Sequence, residues 1–310
     1  MQFGFTLPDV LDGGKLCWFA QMAEDYGFES VWTGDHIVLP VSVDKQYPYT
    51  EDGSFPGQDS ASFLEAVTLL SFIGSCTSNI RIGSTVIILP YRNPILQAKM
   101  FASLDVLTKG RVICGVGVGW LEKEFDLLGV PFKERGAMSD ECLEVMKSIW
   151  SDEHPEYHGK FFEFKDIQSL PKPIQQPHIP IWVGGHSRRA IRRAVRYGDA
   201  WHPSRQSPEY VNSQLSYLRR ESRSIGRDPD DIIISLKRTI HFTDIDIDES
   251  SKIPSNAAVI GTTEDIIKDV RYCNTLGIQQ LTYDFRVNEV VDCVKIMEHF
   301  ARNVMSVTEA

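Results

Sequence analysis

The sequence predicts a mixed α/β fold, a (β/α)8 TIM barrel with long insertions at its C-terminal rim. Three observations predict it. Strand-like apolar runs alternate with amphipathic helix patterns, about eight of each. One junction keeps returning: a helix pattern ends at Gly or Asn and a strand begins at once, at Gly27, Asn79, Gly110, Gly198 and Gly277. A residue closing a helix there takes positive φ, which Gly and Asn adopt cheaply, and the chain reverses into the sheet. No linker or low-complexity segment divides the chain, so residues 1–310 are read as one domain. An open doubly wound sheet also alternates strand with helix and stays as the competing architecture.

The elements follow in order. A first strand near 2–7 leads to a helix near 13–26, with Leu16, Phe19, Ala20 and Ala23 as its apolar stripe. The second strand, near 30–34, precedes a helix near 60–77. That helix holds the most apolar stretch, Phe63 to Cys76, but Glu65, Thr68, Ser71 and Ser75 interrupt it, which makes it a core helix and not a membrane span. Strands near 81–87 and 111–117 are followed by helices near 94–109 and 134–151. Strands near 180–184 and 199–202 are followed by helices near 186–197 and 207–225. The last two strands, near 231–240 and 279–284, are followed by helices near 263–276 and 289–304. Ile266, Ile267, Val270 and Cys273 form the stripe of the first of these. Segments 36–60, 152–180 and 243–256 exceed ordinary loop length, and in a barrel such segments shape a site at the C-terminal rim.

Composition excludes several classes. There are 32 Lys+Arg against 42 Asp+Glu, a formal net charge of −10, which argues against nucleic-acid and anionic-membrane partners. The N-terminus lacks the basic and apolar regions of a signal peptide. Six cysteines (17, 76, 114, 142, 273, 293) occur singly among apolar neighbours and read as buried reduced thiols of a cytoplasmic protein. His154 and His158 lie four apart, but Pro155 makes their segment a loop and no third ligand is close in sequence, so no metal site is expected. No G-x-S-x-G elbow or Walker sequence occurs.

Polar residues that follow the strands are the site candidates. Asp35 and His36 come after the second strand, and a carboxylate beside an imidazole can manage a proton; a cap and a satisfied histidine would look the same. The fourth strand runs into GVGVGW, where Gly117 and Gly119 would let backbone approach a flat ring and Trp120 would wall the pocket. The pattern is G-x-G-x-G, an imperfect dinucleotide fingerprint, and close packing explains it equally. The fifth strand leads through Gly184, Gly185, His186 and Ser187 into a helix with Arg188 and Arg189 in its first turn. Free amides and a positive dipole end make that an anion site. Arg192, Arg193 and Arg196, opposite the Ala190–Ala194 stripe, read as a solvated face.

Together DHIVLP, the long run RIGSTVIILPYRNPILQAKMFASLDVLTKGRVICGVGVGWLEKEF, RG…DE at 135–141 and PIWVGG…RRAVRYGDAW resemble the luciferase-like flavin- and deazaflavin-dependent oxidoreductases. The similarity is strongest to the branch that uses coenzyme F420. It runs from Gly4 to about Pro203 and thins toward the C-terminus. The resemblance implies a barrel with the cofactor across the C-terminal strand ends. It also implies a third-strand bulge with a non-prolyl cis peptide at Thr85–Val86, and cofactor phosphate held at Gly184 to Arg189. It implies a homodimer as well. Sugar-phosphate dehydrogenases of this family carry a glutamate where this chain has Trp120, so that acid is not carried over.

The expected function is hydride transfer between F420 and a small organic substrate, with Asp35 and His36 positioning or exchanging the proton. Arg238, His241 and Arg286, late in the last two strands, are expected to face substrate. Two alternatives stay open: an FMNH2-dependent monooxygenase using O2, and a non-catalytic flavin-binding protein.

Overall fold

Eight parallel strands close into a barrel. They are β1 (Gln2–Thr6), β2 (Ser30–Thr33), β3 (Arg81–Ser84), β4 (Val112–Gly117), β5 (Ile181–Gly184), β6 (Ala200–His202), β7 (Ile233–Phe242) and β8 (Gln280–Asp284). Each pairs with the next in chain order. The ring closes where β8 returns to β1, with Gln2 opposite Gln280 and Phe5 opposite Tyr283. The open-sheet alternative is thereby excluded. This computed structural model describes residues 1–41, 47–48, 53, 55, 63–247, 258–285 and 290–308.

Helices α1 (Gly13–Asp25), α2 (Ala66–Cys76), α3 (Pro94–Leu107), α4 (Glu122–Leu127), α5 (Arg135–Ser151), α6 (Arg188–Tyr197), α7 (Pro208–Ser224), α8 (Thr263–Thr275) and α9 (Val290–Phe300) accompany the strands. Their starts follow local chemistry. Asp12, Asn93, Ser187 and Ser207 each accept an amide of the first turn of α1, α3, α6 and α7, and Thr262 with Asp265 forms a reciprocal cap on α8. The α1 stripe Leu16, Phe19, Ala20 and Ala23 is buried as expected. On α8, Ile266, Val270 and Cys273 are buried and Ile267 packs at the edge of the core.

Alternation along the strands separates two apolar regions. Val31, Ile82, Cys114 and Ile181 face the helices within one large cluster. Trp32, Ile113, Trp182 and Ala200 alternate with them and fill the barrel lumen. The fully buried Trp32 fits because its neighbours are glycines. A Cβ at Gly4 would lie 2.5 Å from the indole nitrogen, and one at Gly83 would lie 2.6 Å from the ring. At Gly115 a Cβ would overlap the carbonyl oxygen of Ser84, whose hydroxyl donates to the Gly115 carbonyl at 2.8 Å.

Several expectations are corrected. The third strand is not continuous over 81–87. It stops at Ser84, the Thr85–Val86 peptide is cis, and Ile87–Ile88 resumes pairing with Val116–Gly117. Of the five junction residues, Gly27, Gly110 and Gly277 have positive φ, whereas Gly198 has φ −94°. Gly198 is small for packing: a Cβ there would meet Val183 at 2.8 Å and two carbonyl oxygens at 3.2 Å. A short hairpin, Tyr157–His158 with Glu163–Phe164, occupies the 152–180 segment, and an added strand, Ala258–Gly261, pairs with β7. The expected start of the second helix at 60 lies outside the described residues.

The cysteines are not all reduced. Cys17 of α1 and Cys76 at the end of α2 form a disulfide with their Cα atoms 6.0 Å apart, while Cys114, Cys142, Cys273 and Cys293 are buried thiols. Sequence separation of 59 hid a pairing that the packing of α1 on α2 creates. Among the described residues no helix is long and apolar enough to cross a membrane.

Gly115 yields a direct test. Gly115→Ala is expected to destabilise the fold by about 3 kcal/mol, since two backbones must separate to admit one methyl group. Urea denaturation of the purified variant measures this, and an unchanged midpoint would contradict the close approach of β3 to β4.

Candidate functional site

All eight strands contribute to one cavity of about 1590 Å³. Its floor and walls include Leu7, His36, Thr85, Gly117, Gly184, His202 and Asp284, each from the end of its strand or just beyond it, and Lys237 from midway along the longer β7. One side is aromatic, with Tyr47, Phe55, Phe63 and Trp120. The His36 ring lies 5.1 Å from Phe55, 5.2 Å from Phe63 and 6.4 Å from Trp120, centroid to centroid.

His36 is held by a residue from the other side of the β4 turn. Its Nδ1 is 2.8 Å from Oε2 of Glu124 on α4. The Glu124 side chain is fully buried, yet it accepts from three further donors. These are the amides of Ile37 and Val38 at 2.7 and 3.1 Å and the hydroxyl of Tyr91 at 2.9 Å. Burial pushes the Glu124 carboxyl upward, but His36 and the two amides outweigh it and hold it below the ordinary carboxylate value. An ionised carboxylate only accepts hydrogen bonds, so His36 Nδ1 is the donor of this contact and Nε2 takes no part in it. Burial, then the Glu124 charge, drives Tyr91 far above an ordinary phenol, so it stays a neutral donor.

Asp35 points the other way, as adjacent residues of an extended segment do. Arg92 grips its carboxylate with two bonds of 2.8 Å, and the Ile88 amide adds a third at 2.9 Å. Arg92 also donates at 2.7 Å to Glu65, which caps α2 through the Thr68 amide. Asp35 therefore ties β2 to the segment after the cis peptide. Below, His202 of β6 is fully buried, stacks on Trp32 at 5.1 Å, and sits between Ser235 at 2.8 Å and the Thr85 hydroxyl at 3.2 Å. Burial, with the Lys237 charge, lowers its imidazole to about 3.

At the far end, Gly185 has φ +95° and the chain turns into α6, where the Ser187 hydroxyl accepts the Ala190 amide. Lys133, Arg135, Arg188 and Arg189 line this end of the cavity. Burial lowers the His186 imidazole, so a neutral ring joins these cations. The profile of the luciferase-like monooxygenase family matches residues 12–263.

The chain belongs to that family.

Its relatives include the Mycobacterium tuberculosis (strain ATCC 25618 / H37Rv) protein Rv0940c, 36% identical over 67% of this chain and 71% of the relative. The FMNH(2)-dependent dimethylsulfone monooxygenase of Pseudomonas putida is 30% identical over 73% of this chain and 62% of its own. Among solved structures, an F420-dependent secondary alcohol dehydrogenase in complex with an F420-acetone adduct superposes with TM-score 0.79, at 20% identity, over 99% of this chain and 98% of that one. The monooxygenase RslO1 from Streptomyces bottropensis superposes with TM-score 0.77, at 21% identity, over 99% of both chains.

This luciferase-like chain gathers His36, Thr85, Val86, Gly117, Gly119, Trp120 and residues 184–189 around one cavity. Gly117 and Gly119 also serve packing, since a Cβ at either would collide with Val86 or with Phe125 and Ile88. Arg238 does not face the cavity. It is buried on the helix side of β7 and pairs with Asp269 of α8 at 2.5 Å, because it alternates with Lys237, which faces inward. His241 does not line the cavity, and Arg286 lies outside the described residues. Arg193 is not part of a solvated face: it is buried and bonds Asp140 at 2.6 Å, while Arg192 and Arg196 are exposed. His158 bonds Glu163 across its hairpin at 3.2 Å. Sequence reasoning missed Glu124, Arg92 and His202. Glu124 stands within the motif that carries the family resemblance, but it reads there as one of several helix-surface acids.

The buried groups set an acid dependence. Folded His202 stays neutral down to about 3, whereas an unfolded histidine protonates near 6.5. Between those values the unfolded chain binds the extra proton, so stability falls as pH drops, by up to about 1.4 kcal/mol per pH unit. Glu124, depressed from 4.5, adds a further loss below that value. Urea midpoints at pH 7.5, 6.0 and 5.0 are expected to fall in the native chain and to fall less steeply in His202→Gln. Equal slopes would assign the loss to other groups. Glu124→Gln, which can keep its oxygen on the Ile37 and Val38 amides but turns an NH2 toward His36 Nδ1 and the Tyr91 hydroxyl, is expected to cost about 2 kcal/mol or more at pH 7.

Proposed function

We propose that this chain is an oxidoreductase that moves a hydride between coenzyme F420 and a small organic substrate. The observation that carries the reading is His36, placed on the cavity wall with Nδ1 tied to the buried Glu124 carboxylate and Nε2 outside that contact. Hydride transfer at a carbon bearing a heteroatom needs a proton moved alongside it, and a positioned imidazole supplies that. The deazaflavin, when bound, supplies hydride donation and acceptance at its C5.

The residues present fit such a group. A cavity near 1590 Å³ exceeds the roughly 300–1,000 Å³ of ordinary ligand sites, which leaves room for cofactor and substrate together. Gly184, Gly185, His186 and Ser187 would hold the cofactor phosphate at the positive end of α6, and Arg188 and Arg189 would add charge. Thr85 and Val86, with Gly117 and Gly119 behind them, would form the wall against the ring. Asp35 acts by position: held by Arg92, it fixes the segment that carries His36. Trp120 and the neighbouring aromatics keep water from the reacting face.

A second reading keeps the site and replaces F420 with reduced FMN and O2. The Pseudomonas putida relative, named for FMNH(2), favours it. Parallel titrations with F420 and FMN separate the two, and micromolar FMN affinity without detectable F420 binding would sink the first. In the enzyme loaded with its preferred cofactor, His36→Ala is expected to lower kcat by about 100-fold or more. Cofactor affinity should change less than about two-fold. Unchanged turnover would make His36 structural.

A further inference from the structure

Among the described residues, the most buried arginines are paired with carboxylates, with one exception. Arg92 meets Asp35 and Glu65, Arg193 meets Asp140, and Arg238 meets Asp269. Arg205 is 8% exposed and lines the cavity, and its Nη1 is buried without a hydrogen-bond partner among the described residues. A guanidinium keeps its charge at any pH a protein meets, so it cannot relieve this burial by losing a proton. A lone buried cation is costly unless something else satisfies it.

The backbone holds Arg205 there deliberately. Its φ is +54°, a left-handed conformation that residues with a Cβ seldom adopt. Its amide donates to the Lys237 carbonyl at 2.8 Å, which pins the turn after β6 to β7. The guanidinium carbon sits 5.7 Å from the centre of the Tyr47 ring. Tyr47 is 5.0 Å from Trp120, which in turn neighbours His36. Arg205 therefore reaches the aromatic side of the cavity, which it shares with His36.

We propose that Arg205 recognises a carboxylate on the substrate, whose apolar or aromatic body lies against Tyr47, Phe55, Phe63 and Trp120. The planar fork of the guanidinium matches two carboxylate oxygens, and the missing counter-charge arrives with the substrate. This assignment rests on the cavity being the substrate site of an oxidoreductase, as argued above.

The test uses matched probes: benzoate, phenylacetate and cinnamate against their neutral amides, followed by tryptophan fluorescence and calorimetry. Titrations run on the full chain, both alone and saturated with F420 or FMN. Carboxylates are expected to bind about ten-fold or more tightly than the paired amides. Arg205→Gln should erase that difference while leaving amide and cofactor affinity within about two-fold, and Arg205→Lys should restore part of it. The ligand-free Arg205→Gln variant should melt no lower than the native chain, because removing an unpaired buried charge relieves it. Equal affinity for acids and amides overturns the proposal, as does a native chain that binds neither. Lost cofactor affinity in Arg205→Gln reassigns the guanidinium to the cofactor, and a lower Tm makes it structural; both overturn it. The ligand-free titrations still report if neither cofactor binds, so failure of the oxidoreductase reading is seen separately.

Discussion

A carboxylate buried at the mouth of a barrel must find donors or lose its charge, and the mouth of this barrel is organised around that requirement. The Glu124 side chain has no exposed surface and no Lys or Arg partner among the described residues. Leaving such a charge bare in the interior costs several kcal/mol. Four donors prevent it: an imidazole, two consecutive amides and a phenol. They come from the chain after β2 and from the segment after β3, while the carboxylate itself stands on α4. One buried charge thus draws three separate stretches into a fixed relation, and the imidazole is among the groups it fixes.

Asp35 does comparable work one residue earlier. An extended backbone sends successive side chains to opposite sides, so Asp35 reaches Arg92 while His36 reaches Glu124. The strand end is clamped from both sides. Thr85 is steadied from beneath by His202, whose own ring is fixed by Ser235 and by stacking on Trp32. Groups meant to hold a reacting molecule gain from such support, because each rotamer is locked by a neighbour that is itself fixed. The aromatic side is built by Tyr47 and Phe55 from the long segment after β2, together with Phe63 and Trp120.

Net charge and site charge have opposite sign here. The chain carries −10 overall, yet Lys133, Arg135, Arg188 and Arg189 gather where β5 meets α6. Fields inside a cleft are set by nearby groups and weakly screened, whereas the surface average is damped within about 10 Å by salt. An acidic protein can therefore hold an anionic ligand. The composition speaks against a polyanionic macromolecule, not against a phosphate.

The barrel was legible in the chain because its evidence is local. Period-two and helical patterns, caps such as Ser187 and Ser207, and glycines at Gly27, Gly110 and Gly277 depend on neighbours within a few residues. The positions of His36, Thr85 and the 184–189 turn were legible for the same reason, since each immediately follows a strand. What the sequence by itself determined is therefore the succession of elements and which segments reach the rim. Only the tertiary structure decided the partners. It brought Glu124 across 88 positions to His36, joined Cys17 to Cys76, turned Arg238 out to Asp269 and left Arg205 facing in. Whether a charged side chain is solvated, paired or waiting for a ligand depends on what the closed barrel places beside it, and sequence distance carries almost none of that information.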